Sequence, residues 1–97
     1  MRYEIVLAPE AVQDLRLLRA AERSAVRDLI ETCLRHEPTR VSKTRIKRLR
    51  SMRQPQYRLR VDDIRVFYDV LEGRVEVLAI VDKAQADTWL ARKGVPE

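Results

Sequence analysis

The sequence predicts one small α+β domain over residues 1–97: an N-terminal strand, an αα-hairpin, a three-stranded antiparallel meander and a C-terminal helix. Three observations point there. Apolar residues recur at helical spacing between Val12 and Leu34, and they alternate with polar ones from Tyr57 onward. Asp62-Asp63 and Glu72-Gly73 mark tight turns inside the alternating stretch. A chain of 97 residues suits a single hydrophobic core.

Tyr3, Ile5 and Leu7 fall on one face of a short strand. Pro9 then fits the first turn of a helix, where its missing N–H costs nothing. Val12, Leu15 and Leu18 give that helix an apolar side, and a break near Ala20-Ala21 leads into a second helix. There Val26, Leu29, Ile30, Cys33 and Leu34 form a continuous apolar stripe, until Pro38 forces the preceding residue out of the α region. Ile46, Leu49 and Met52 anchor an irregular or briefly helical segment that Pro55 limits. Tyr57–Val61, Ile64–Leu71 and Arg74–Val81 are the meander strands. Asp82, with Gln85 three residues on, starts the last helix, whose apolar side is Ala86, Trp89 and Leu90; Gly94 and Pro96 end it.

Composition excludes several function classes. A 45% hydrophobic and 36% charged chain is too apolar for disorder and too charged for a membrane protein. One cysteine and one histidine make neither a disulfide nor an ordinary zinc site, and two glycines make no phosphate-cradling loop. No metal or cofactor is expected. Met1-Arg2-Tyr3-Glu4 lacks the apolar region of a signal peptide, so a cytoplasmic protein without a membrane partner is expected.

Charge is concentrated. Nine of the 20 basic residues lie between Arg40 and Arg60, together with none of the 15 acidic ones, so the rest of the chain is net acidic. Such a block is the footprint of a polyanion or an acidic protein partner. Arg40, Lys43, Arg45, Lys47, Arg48, Arg50 and Arg53 are its candidates for contact with a polyanion such as RNA.

Counting outward from two-residue turns sets the register. Arg58 faces Phe67, Arg60 faces Arg65, Tyr57 faces Tyr68, and Phe67 faces Leu78. One sheet face, including Val66, Tyr68, Val77 and Ala79, is then apolar enough to pack on the αα-hairpin. The other carries Arg58, Arg60 and Arg65 beside an apolar strip of Phe67, Leu78 and Ile80.

These residues resemble the RelE/ParE toxins of bacterial type II toxin–antitoxin pairs. The likeness lies in Tyr3-Glu4-Ile5 through Ala8-Pro9-Glu10-Ala11, in Tyr57-Arg58-Leu59-Arg60-Val61 with Ile64-Arg65-Val66-Phe67-Tyr68, and in Val77-Leu78-Ala79-Ile80-Val81. The resemblance implies a microbial RNase-like α+β fold and a cognate acidic antitoxin encoded alongside, with operator DNA reached only through the antitoxin complex. RelE-like members cut messenger RNA on the ribosome without a metal, whereas ParE-like members inhibit DNA gyrase. In the RelE-like case Arg58, Arg60 and Arg65 match positions that hold the scissile phosphate. The chain departs from the pattern in its last helix: no tyrosine follows Tyr68 and no histidine follows His36. Lys83 is the nearby substitute, so the candidate catalytic set is Arg58, Arg60, Arg65 and Lys83. Three functions stay open: a metal-free endoribonuclease that inhibits translation, a non-enzymatic gyrase inhibitor, and a catalytically degenerate antitoxin-binding homologue. Phe67, Leu78 and Ile80 are the candidate antitoxin seat, because an apolar strip rimmed by cations suits an amphipathic acidic segment.

Other conspicuous residues have structural readings. Cys33 falls in the helix-two stripe, His36 at that helix's C-terminal end, and Tyr57 and Tyr68 on the core face. Trp89 is either packing for the last helix or a stacking platform for a base.

Overall fold

The computed structural model describes residues 1–97. In chain order the elements are β1 (Glu4–Leu7), α1 (Pro9–Leu17), α2 (Ala20–Leu29), β2 (Ile46–Arg48), β3 (Met52–Gln54), β4 (Tyr57–Val61), β5 (Ile64–Leu71), β6 (Arg74–Asp82), α3 (Lys83–Lys93) and β7 (Val95–Pro96). A π turn over Ile30–Leu34 prolongs α2. The main sheet has the order β1-β6-β5-β4-β2, and β3 with β7 forms a second, two-stranded sheet. No helix is long and apolar enough to cross a membrane.

β4, β5 and β6 are the antiparallel meander read from the alternation, while β1 joins its edge parallel to β6. The αα-hairpin packs its stripe onto one face. Val26, Ile30 and Leu34 meet Leu59, Val66, Tyr68 and Val77 in a single buried cluster, with Cys33 partly buried against it. Burying each large apolar side chain there contributes about 1.5–3 kcal/mol relative to exposure. Arg23 closes the hairpin: its Nε and Nη2 donate to the Leu15 and Leu18 carbonyls at 3.3 and 2.9 Å, satisfying the free end of α1. Tyr68, fully buried, donates its hydroxyl proton to the Pro38 carbonyl at 2.7 Å. It is a core residue, and burial pushes its phenol far above the ordinary range.

Two expectations are corrected. The basic segment is not irregular or helical: Ile46–Arg48 pairs antiparallel with residues 57–59 of β4 as an added edge, and Met52–Gln54 pairs with the C-terminal tail. Buried Ile46 sits opposite Leu59, and that apolar row pulls the segment into the sheet. The second correction concerns β6. Its register against β5 shifts between Phe67 and Tyr68: Tyr68 is opposite Val77, but Phe67 is opposite Ala79, leaving Leu78 as the extra residue of a bulge. Ile80 consequently lies opposite Val66 and is 3% exposed within the αα-hairpin core, while Ala79 shares a row with Phe67. The backbone N–H of Ile80 donates to Asp14 Oδ2 of α1 at 2.9 Å.

On the opposite face lies α3. Asp82 caps it by accepting from the Ala84 N–H at 2.9 Å. Trp89 stacks on Phe67 with ring centroids 5.0 Å apart and planes 5° from parallel, and its indole N–H donates to Glu10 Oε1 at 3.3 Å. Gly94 ends the helix where a Cβ would run into Met52 and the Leu90 carbonyl. The tail then returns along β3, and the Glu97 N–H donates to the Ser51 carbonyl at 2.9 Å.

Candidate functional site: a cationic cleft

Strand pleating places alternate residues on alternate faces, so Lys47, Arg58 and Phe67, partners in register across β2, β4 and β5, share the face that α3 covers. Arg60 and Arg65 form the adjacent row of that face. From the other side α3 contributes Lys83, Ala86, Asp87 and Leu90, whose i, i+3, i+4, i+7 spacing puts them on one helical face. Between sheet and helix lies an open cleft of about 360 Å³. Lys47, Arg58, Arg65 and Lys83 line it together with Leu49, Phe67, Ala86 and Leu90, and Asp87 is its one carboxylate.

The cations are held differently. Arg58 is half-buried, and its Nε is fully buried without a hydrogen-bond partner. Burial first, then the neighbouring Arg65 and Arg60 charges, lower its pKa from the ordinary guanidinium value. Arg65 donates from Nη1 to the Asp62 and Ile64 carbonyls at 2.7 and 3.1 Å, which leaves its charge without a carboxylate. Lys83 is anchored at its base, its backbone N–H donating to the Asp63 carbonyl, and its Nζ lies 3.1 Å from Asp63 Oδ1. Arg60 is exposed and does not line the cleft, although its row adjoins it. None of Arg58, Arg60, Arg65 and Lys47 takes part in an ion pair within 4.0 Å.

The remaining basic block is divided among several surroundings. Lys43, Arg50 and Arg53 are exposed, and Arg40 pairs with Glu37 at 3.3 Å. Arg45 donates to the Arg60 carbonyl at 3.1 Å and turns toward the hollow beside Cys33. Arg48 is committed to structure: Nη1 donates to the Leu49 and Gln56 carbonyls at 2.9 and 2.7 Å, and the guanidinium lies 5.3 Å from the Tyr57 ring centre. Its Nη1 thereby ties the turn between β2 and β4.

The exposed apolar strip is corrected as well. Phe67 is 1% exposed beneath Trp89, Ile80 belongs to the other core, and Leu78 is half-buried at the bulge. Any segment docking on this face would meet α3 first. Trp89 is packing here, not an open stacking platform.

No tyrosine or histidine reaches the cleft. Tyr57 and Tyr68 stack on each other at 5.5 Å on the far face, and the His36 ring lies 3.3 Å from the Met1 carbonyl. Cys33 is half-buried with its pKa raised by burial, the opposite of a primed nucleophile. In the sequence Asp87 carries one signal, its position four residues after Lys83 on one helix.

No protein-family model matches the sequence, and no curated protein matches it. Solved structures do. The chain is similar to Escherichia coli toxin RelE, solved free as a mutant with two arginines changed to alanine, with TM-score 0.70 and 19% identity over 96% of this chain and 99% of that one. It is similar to a chain of the toxin–antitoxin complex RelBE2 of Mycobacterium tuberculosis, with TM-score 0.70 and 24% identity over 84% of this chain and 99% of that one. A chain of the archaeal RelE–RelB complex from Pyrococcus horikoshii gives TM-score 0.65 and 24% identity over 88% and 99%. The fold is that of the RelE toxins.

Proposed function

We propose that this chain is the toxin of a type II toxin–antitoxin pair and that it cuts ribosome-bound messenger RNA in the cytoplasm, its cleft holding the scissile phosphate. The observation that carries the reading is the convergence of Lys47, Arg58, Arg65 and Lys83 on one cleft, with Arg58 and Arg65 unpaired by carboxylates. Unpaired cations raise the local potential for a phosphate, and guanidinium forks match its oxygens bidentately. The likeness to RelE structures, two of them solved in toxin–antitoxin complexes, supports the toxin role and an antitoxin partner.

The chemistry is attack of a 2′-hydroxyl on the adjacent phosphorus, giving a 2′,3′-cyclic phosphate and a 5′-hydroxyl. Arg58 and Arg65 stabilise the charge that develops on the phosphorane oxygens, and Lys83 stands at the rim as a proton donor to the leaving oxygen. Orientation by the ribosome adds to this, since correct placement is worth up to about 7–11 kcal/mol. Exposed Lys43, Arg50, Arg53 and Arg60 extend the cationic surface toward further phosphates, which makes binding steeply salt-dependent. The test is expression without an antitoxin followed by primer extension on cellular messenger RNA. New 5′ ends inside coding regions are expected; growth arrest without them overturns the RNase reading.

A second reading is favoured by one specific observation, the absence of any tyrosine or histidine from the cleft. It makes the chain a non-enzymatic inhibitor of DNA gyrase. Supercoiling assays with purified chain decide it: untouched supercoiling while translation stops excludes gyrase.

A further inference from the structure

We infer that Asp87 is the general base of the cleft, taking the proton from the attacking 2′-hydroxyl. This rests on the RNA-cleaving reading and supplies what the missing tyrosine and histidine leave open. Every other ionisable group lining the cleft is an arginine or a lysine, side chains that carry hydrogen-bond donors and no acceptor. Asp87 is the one acceptor.

Its surroundings keep that carboxylate free. Lys83 lies four residues earlier on the same helical face and would be its natural partner, but the Lys83 ammonium is drawn instead to Asp63 in the β4–β5 turn, at 3.1 Å. A lysine N-terminal to an acid is also the weaker orientation of an i, i+4 pair. No charged nitrogen of Arg58, Arg65 or Lys47 comes within 4.0 Å of an Asp87 carboxylate oxygen. Acid and cations therefore line one cleft of about 360 Å³ without forming an ion pair with each other. The proton balance closes: the Asp87 carboxylate takes the 2′-hydroxyl proton as the new P–O bond forms, the P–O5′ bond breaks, and the leaving oxygen takes a proton from the Lys83 ammonium.

The test is single-turnover cleavage of ribosome-bound messenger RNA by wild type, Asp87→Asn and Asp87→Ala, with binding measured on RNA carrying a 2′-deoxy sugar at the cut site. A general base contributes about 10²–10⁴-fold, so a rate loss of at least about 100-fold is expected for Asp87→Asn. Binding of the deoxy RNA should be unchanged or tighter, and added formate should restore part of the Asp87→Ala rate. Asp87 is exposed on α3, so both variants should keep the wild-type melting temperature. An Asp87→Asn rate within a few-fold of wild type, or a loss that comes with weaker binding and no formate rescue, overturns the role while leaving the RNase reading intact. Wild type that cuts nothing overturns both.

Discussion

Arg60 and Arg65 stand directly opposite each other across the β4–β5 hairpin, and no carboxylate pairs with either. Like charges in register repel, at a cost of a few tenths to about 1 kcal/mol. Arg65 recovers part of this through its hydrogen bonds to the turn carbonyls, whereas the Arg60 side chain makes none. Arg60→Thr should leave the melting temperature equal or raised while weakening growth arrest. Arg65→Thr should be near neutral in stability and lose toxicity outright. Melting curves with plating assays check both; a drop of several degrees in each would mean that the pair is structural.

Arg58 is a sharper case. Its Nε is buried without a partner, an arrangement that stability alone disfavours. Arg58→Met, which keeps the aliphatic stem's packing, should match or exceed wild-type stability and lower cleavage by at least about 100-fold, the scale of one transition-state donor. Urea denaturation alongside single-turnover kinetics measures the two effects separately.

Tyr68→Phe removes the hydrogen bond to the buried Pro38 carbonyl and should cost about 1–3 kcal/mol. There is a pH signature too. Burial raises the folded-state phenol above the unfolded value near 10, so the unfolded chain ionises first and stability falls as pH rises through about 10. Below that pH the contribution is fully present. Denaturation midpoints between pH 8 and about 11 should fall less steeply for Tyr68→Phe than for wild type.

Trp89 ties α3 down through its stack on Phe67 and its bond to Glu10. Because α3 has no fully buried residue of its own, Trp89→Ala should cost about 2–4 kcal/mol and speed amide exchange along Lys83–Lys93 more than elsewhere. Uniform acceleration throughout the chain would show that α3 and the sheet open together.

Much of this architecture is legible in the residues. The Asp62-Asp63 turn and the alternation around it give every pair of the β4–β5 hairpin, from Val61–Ile64 to Tyr57–Tyr68, and with them the shared face of Arg58, Arg60 and Arg65. Counting outward fails at Leu78, because nothing in Val77-Leu78-Ala79-Ile80 distinguishes a bulge from plain alternation. β2 and β3 stay hidden for a different reason. Each is three residues long, too short for a period, and each is held by a partner distant in sequence. Asp87 was concealed because its significance depends on Lys83 turning to Asp63, a contact across two elements.

The extra residue in β6 also gives the chain a tolerance to deletion. β6 holds one residue more than its β5 partner requires, so removing Leu78 would let Val77 and Ala79 keep their places opposite Tyr68 and Phe67. Ile80 would stay opposite Val66, and Asp82 would still cap α3 beside the Asp63 turn. Removing Val81 has no such slack: it would drag the cap back by one position and turn the helix about 100° around its axis, carrying Lys83 and Asp87 out of the cleft. A Leu78 deletion should therefore fold and retain partial growth arrest, while a Val81 deletion, even if folded, should be harmless. Circular dichroism and plating of the two deletions would show whether length variation in proteins of this shape is permitted at the bulge and forbidden three residues later.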